Sequence, residues 1–478
     1  MKQTNPTSVN LLRILTMTAC VVAALIVTLP TGVGDIYASE SGMQEMGTAG
    51  QTGASGDASS GDQQEGGILP VPDYSGDLRT RPALTGDWGG RRQQWADKGA
   101  IFRFDWYQAV QGVVDGGINE RWAYETNLDL YVDLDLDRMG VIPGGLVAFR
   151  AQSRFGDTVN GDSGLLLPVN TYGAFPLTDP PDENVPFALT ELNYTQFLSE
   201  HVGLLVGKIT TMKNANEFAG GEGRTQFMNF QFIFPAVYAQ LAPYSTLAAG
   251  VVWMPSEPLQ FTSILMNTAD SSTTTGFDDI GEGTTWWNSV DVQWNLGGRP
   301  GGSTLGFLYA FDGNFVRVGG INFDPIIGGI VFDRESEAWA LRLDGWQYLF
   351  TETEPDTRVD ARDGRQDLQG VGVFASFGLG DEDTNPVSWA TFVGLSGRGV
   401  IPGRDDDTMG VGYFYNRLQA PRPILNNLLS TDTQGIEAYY NVAVLRSTEL
   451  TFDFQWTDPA VPRAEDALLL GFRLNVSF

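Results

Sequence analysis

YETNLDLYVDLDLD, residues Tyr124 to Asp137, decides the fold. Successive side chains of an extended chain point to opposite faces. Leu128, Leu130, Val132, Leu134 and Leu136 therefore share one face, and Asn127, Asp129, Asp133, Asp135 and Asp137 share the other. A water-soluble sandwich has no use for so regular an acid row backing a continuous leucine row, whereas a sheet between lipid and water needs both. The pattern recurs at Leu450, Phe452, Phe454 and Trp456, set against Glu449, Thr451, Asp453 and Gln455. It closes the chain too, with Leu468, Leu470, Phe472, Leu474, Val476 and Phe478 on one row. Unpaired backbone groups facing lipid cost several kcal/mol each, so the sheet must close on itself. The expected fold is all-β, a transmembrane antiparallel β-barrel with long extracellular loops and short periplasmic turns.

Working outward, about sixteen strands are expected from alternation and length, an even number that suits a single-chain barrel. They begin near Ile101, Tyr124, Gly145, Phe187, His201, Leu247, Leu259, Trp286, Thr304, Ala338, Leu368, Ser388, Met409, Gly435, Thr448 and Ala467. A short apolar stretch, Val237 to Leu241, is assigned to a loop. Gly156 to Pro186, Thr210 to Thr246 and Asp312 to Glu337 are long connections, while Leu198 to Glu200, Met254 to Pro258 and Leu445 to Ser447 are short. Thr351 to Asp367 breaks the alternation, being long and polar on the short-turn side.

The N-terminus sets the compartment. Lys2 and Arg13 precede an apolar run from Ile14 to Leu29 that stops at Pro30, the arrangement of a secretory signal peptide. Cleavage is expected after Ala38, with Thr31 to Gly34 as an alternative. Residues 1–38 are then the signal and 39–83 a Gly/Ser-rich, acidic tether with an extended, proline-punctuated lead-in. Residues 84–100 form a short periplasmic helical segment around RRQQWADK, Arg91 to Lys98, and 101–478 are the barrel. Cys20, the single cysteine, lies inside the signal, so neither disulfides nor thiolate metal sites belong to the mature chain. With 58 Asp and Glu against 29 Lys and Arg, the chain carries a formal charge of -29, which argues against nucleic acid as a partner.

LTGDWGGRRQQWADKG, Leu84 to Gly99, resembles the opening of the OprB-type carbohydrate-selective porins. Asn127 to Asp137 (NLDLYVDLDLD), Gly207 to Phe218 (GKITTMKNANEF), Thr225 to Asn229 (TQFMN), Gly399 to Asp407 (GVIPGRDDD) and Asp466 to Phe478 (DALLLGFRLNVSF) resemble that family's blocks in the family's order. The resemblance implies a monomeric or trimeric outer-membrane barrel of sixteen strands, a lumen narrowed by loops, and passage of glucose and related sugars. The aromatic end, Phe478, resembles the terminal signal read by the barrel-assembly machinery.

On the third strand Ala148, Arg150, Gln152 and Arg154 share the inward face beside the acid row of the second. Arg342 and Asp344 point inward likewise. The expected pore-lining set is Asp129, Asp133, Asp135, Arg150, Gln152, Arg154, Arg342 and Asp344. Facing acid and base rows offer acceptors and donors to sugar hydroxyls, at a site weak enough to release them. The segment Thr210 to Thr246 carries Lys213, Glu217, Glu222 and Arg224 together with Phe227, Phe230, Phe232 and Phe234. Such phenylalanines do not belong in external water, so this loop is expected to fold inward and form the constriction. Because Arg150 and Arg154 are read as facing a water-filled lumen, they are expected to tune permeation with little effect on stability.

Other chemistries find little support. The sole histidine, His201, falls at an expected turn, and Gly161 to Gly164 (GDSG) only mimics a serine-protease motif. The clusters Asp405 to Asp407 and Asp360 to Asp367 lack the spacing of a calcium loop. No cofactor or metal is expected. A sugar-preferring diffusion porin is the leading reading. A general or cation-favouring porin, a barrel hydrolase using Ser163 and His201, and a surface-binding barrel are the alternatives.

Overall fold

The structure, a computed structural model, describes residues 67–213, 216–324, 329–352, 368–419 and 429–478, all within one compact unit, Ala38–Phe478. The signal peptide, most of the tether and the cluster Asp360 to Asp367 lie outside the described residues.

The period-two rows become strands β1 (Ala100–Gly117), β2 (Arg121–Asp135), β3 (Gly145–Gly156), β4 (Val185–Ser199), β5 (Val202–Thr210), β6 (Ser245–Ser256), β7 (Leu259–Asn267), β8 (Thr284–Leu296) and β9 (Arg299–Phe311). After an interposed hairpin, β10 (Phe315–Asp324) and β11 (Gly329–Glu335), come β12 (Ala338–Thr351), β13 (Gly370–Gly380), β14 (Val387–Arg398), β15 (Thr408–Leu418), β16 (Asp432–Leu445), β17 (Thr448–Asp458) and β18 (Glu465–Ser477). Sixteen of these strands pair antiparallel with their neighbours and close into a barrel through β1 and β18, with β9 joined directly to β12. Closure removes both sheet edges from lipid.

The hairpin β10–β11 stands apart as a two-stranded sheet. Sequence reading treats its stretch, Asp312 to Glu337, as a long connection. In the sequence, Val316, Val318, Ile321 and Phe323, then a Gly/Pro-containing stretch, then Ile330, Val331 and Phe332 are a hairpin pattern, and the hairpin stays out of the barrel sheet because β9 and β12 pair with each other.

Alternation sorts the two faces as expected. On β2, Glu125, Asn127, Asp129 and Asp135 are buried, whereas Trp122, Tyr124 and Leu130 are exposed on the outside. The same holds on β17 and β18, where Asp453, Gln455 and Arg473 are buried and Phe452, Phe454, Leu470 and Phe472 are exposed. The outer row is the lipid-facing one.

At the short-turn end the seam between β1 and β18 is incomplete, because pairing starts only at Asp105 opposite Ser477. The N-terminal segment covers the unpaired edge, Ala100 to Phe104. Leu84 donates its N–H to the Ser477 carbonyl at 2.7 Å, and Phe478 donates to the Phe104 carbonyl at 2.8 Å. Arg92, buried in helix α1 (Arg91–Asp97), donates its Nη2 to the Phe102 carbonyl at 2.6 Å. Its guanidinium also lies 3.9 Å from the centroid of Tyr74, which is buried with Ala83 and Ala96. The edge carbonyls of Phe102, Phe104 and Ser477 thus acquire donors.

Candidate functional site

Two long connections turn inward. In the β5–β6 connection Phe227, Phe230, Phe232 and Phe234 are all buried. Phe232 packs edge-on against Phe392 and Phe414, Phe227 against Phe374 and Tyr439, and Phe234 against Trp287. These partners project from the inner faces of β8, β13, β14, β15 and β16. The short helical turns Phe230–Phe232 and Ala236–Tyr238 carry the segment across that wall. Glu437 on β16 anchors it, accepting the backbone N–H groups of Met228 at 2.5 Å and Asn229 at 3.0 Å. The β3–β4 connection enters beside it, with Val169, Tyr172 and Phe175 buried and Phe175 stacked on Tyr244 at 3.8 Å.

These segments occupy the space that the sequence reading gives to water, and this changes the position of most expected pore-lining residues. Arg150 is fully buried: its Nε donates to Asp129 Oδ1 at 3.1 Å, Nη1 to Glu222 at 3.2 Å and Nη2 to the Tyr172 hydroxyl at 3.0 Å. Gln152 accepts the Tyr244 hydroxyl at 2.6 Å. Arg154 grips the β3–β4 connection through the carbonyls of Ala174 and Glu183, both at 2.6 Å, and the Thr178 hydroxyl at 2.8 Å. Asp135 faces the N-terminal segment and accepts the N–H groups of Ile68 and Leu69 at 2.6 and 2.9 Å. Arg342 and Asp344, 3.1 Å apart, are buried beneath the β5–β6 connection, with the Arg342 guanidinium 4.8 Å from the Phe234 ring. The inward phase of these rows is as expected. Their exposure to lumen water is the correction, since alternation assigns a face but says nothing of what a distant loop lays over it.

A cavity of about 230 Å³ with many charged side chains in its lining remains toward the short-turn end, between the β5–β6 connection and the wall residues of β1 to β4, β12 and β14 to β18. Asp133 is the strand residue of the expected set that lines it, and Lys213, Glu217, Glu222 and Arg224 of the connection line it together. Lys213 pairs with Glu191 at 3.3 Å, Arg224 with Asp105, and Glu217 accepts the Tyr348 hydroxyl at 3.1 Å. Arg103 pairs with Asp105 at 3.1 Å and its guanidinium stacks 3.9 Å over the Tyr131 ring. Burial opposes ionisation of Glu222, but Arg150 first, then Lys213 and Arg224, hold its carboxyl below the usual carboxylate range. Its ion pairs therefore stabilise the docked segment above that range and are lost as the pH falls through its lowered value.

Sequence reading missed Arg103, Asp105, Glu191 and Tyr348. The signal was available: Arg103 and Asp105 share the inward phase of β1, as Glu191 does on β4. Arg103, Lys213, Arg224 and Arg398 face Asp105, Asp133, Glu191, Glu217, Glu222, Asp406 and Glu449 across the cavity. The volume lies below the ~300 Å³ of pockets that enclose drug-sized ligands.

The residues of the hydrolase alternative do not meet. Ser163 is buried in the β3–β4 connection and donates to the Asn160 carbonyl at 3.0 Å, while His201 is exposed in the β4–β5 turn at the other end of the barrel. Asp407 is held by Arg404 at 2.7 Å and by the Ala443 N–H at 2.9 Å, and Asp406 pairs with Arg398 at 2.9 Å. Among the described residues no group of three or more potential metal ligands is placed to hold an ion.

A closed sixteen-strand antiparallel barrel, apolar outside and charged within, with inward-folded connections, defines the outer-membrane porin class. Residues 119–478 match the profile of the carbohydrate-selective porin, OprB family, and the chain belongs to that family. The fold is similar to the high-pH structure of Pseudomonas putida OprB, at 20% identity and TM-score 0.69, covering 84% of this chain and 100% of that one. The low-pH structure of the same protein aligns at 16% identity and TM-score 0.52, covering 84% and 99%. No curated protein sequence matches this chain.

Proposed function

We propose that the protein is a diffusion porin that passes small hydrophilic solutes, with monosaccharides preferred, and that its short-turn end faces the periplasm. The observation that carries this reading is the cavity at Asp133, Arg103, Glu191 and the β5–β6 connection, where ion-paired acids and bases face one small space. A pairing of this kind presents hydrogen-bond donors and acceptors at fixed positions, matching ring hydroxyls better than a flexible polyol. Binding must stay weak for conduction. In liposome swelling, hexoses are expected to enter faster than acyclic non-sugars of equal size. Rates ordered by size alone would remove the sugar preference and leave a general porin.

The excess of carboxylates over basic groups at the cavity supports a second reading, a cation-favouring pore. Low-dielectric walls concentrate the field of unbalanced charge on passing ions. A zero-current potential shifted toward cations in a salt gradient is its signature, and a shift toward anions would dismiss it.

We also read Phe478 as the assembly signal. Its ring lies 5.6 Å from Phe104 on the lipid-facing row, and it closes the seam described above. Deleting Phe478 is expected to lower the amount of folded barrel in the outer membrane. Normal levels of heat-modifiable deletion variant would refute that role.

A further inference from the structure

We infer that helix α1 and the turn before it form a lipid-contacting foot, in which Trp88 and Trp95 enter the headgroup region of the leaflet at the short-turn end of the barrel. This is independent of which solute the pore passes.

The first observation is continuity with the lipid-facing surface. Phe102 and Phe104 belong to the outward row of β1, since Arg103 and Asp105 line the inner cavity. Trp95 packs on Phe102 with ring centroids 5.5 Å apart, and Trp88 packs edge-on against Trp95 at 6.1 Å. The aromatic rank of the barrel wall thus runs off the sheet and onto α1. Both indoles are large and exposed, Trp88 at 43% and Trp95 at 46%. Amphipathic rings at the level of the headgroups are what membrane interfaces select.

The second observation is backbone strain at Trp88. This non-glycine residue has φ 54°, within a run where Gly86, Gly89 and Gly90 also have positive φ. Left-handed backbone costs a side chain of this size free energy. The Arg92 guanidinium, 5.0 Å from its ring, and an indole hydrogen bond to Thr85 at 2.9 Å hold it there, facing outward. The third is charge: Arg91, one helical turn before Trp95, and Lys98, the C-cap, are exposed near it, whereas helical spacing sets the exposed Asp97 on the opposite side of α1. Cations flanking interfacial tryptophans suit phosphate headgroups.

The test uses the full chain with Cys20→Ser, refolded in phosphatidylethanolamine–phosphatidylglycerol vesicles and spin-labelled at Arg91→Cys or at Asp97→Cys. Collision with oxygen relative to a water-soluble nickel chelate is expected to be several-fold higher at position 91 than at 97. The difference should shrink when Trp88→Ser and Trp95→Ser are added. Equal, water-like accessibility at both positions would overturn the inference. So would a position 91 shielded from both relaxants, which would mean that protein covers the face, or a difference unmoved by removal of both indoles.

Discussion

Arg150→Ala should lower the stability of the barrel by about 3–5 kcal/mol, the range for breaking one side of a buried ion pair. The arginine has no contact with solvent, and its guanidinium satisfies Asp129 on β2, Glu222 on the β5–β6 connection and the Tyr172 hydroxyl on the β3–β4 connection. Removing it strands the buried Asp129 carboxylate in the wall and unties both inward segments at once. A double variant, Arg150→Ala with Asp129→Asn, should recover part of the loss, because the larger penalty comes from the uncompensated charge. Urea-induced unfolding followed by tryptophan fluorescence in detergent or vesicles reads the effect. A midpoint unchanged by Arg150→Ala would mean that the side chain is solvated after all, as in the sequence-based expectation, and that the inward segments do not dock where the structure has them.

The second large effect concerns conductance. Excising Met228–Ala242 and closing the gap with a short Gly/Ser linker should increase single-channel conductance several-fold and abolish discrimination between hexoses and acyclic solutes of equal size. The excised stretch contributes Phe230, Phe232, Phe234, Val237, Tyr238 and Leu241 to the apolar interior of the lumen. Its removal also bares Arg342 and Asp344 to water. Barrel pairing itself involves none of these residues, so the variant should still show the electrophoretic mobility shift of a folded barrel. A folded variant with unaltered conductance would show that the stretch Met228–Ala242 does not narrow the lumen.

The contrast between these experiments marks where sequence reading stops. Barrel, strand number and the face of each residue follow from period two alone, because a one-residue slip would turn every leucine of β2 toward water and every aspartate toward lipid. The inward course of the β5–β6 connection was legible as well, since Phe227, Phe230, Phe232 and Phe234 had no other place to bury their rings. The second inward segment was not. Between Asp157 and Asn184 only Tyr172, Phe175 and a few aliphatics carry its packing, spread among polar residues without period.

By itself, then, the sequence determined a closed sheet with lipid outside and charge inside, together with the resemblance that the family match later established. Only the tertiary structure decided which charges face the cavity. Inward phase is a local property, set by the alternation of a strand, whereas access to lumen water depends on residues far along the chain. Tyr172, Glu222 and Phe234 approach Arg150 and Arg342 across sequence separations that no local pattern encodes. The same reason applies at the seam, where Arg92 and Leu84 satisfy the edges of β1 and β18. An orphaned backbone carbonyl exists there only after the first and last strands have met.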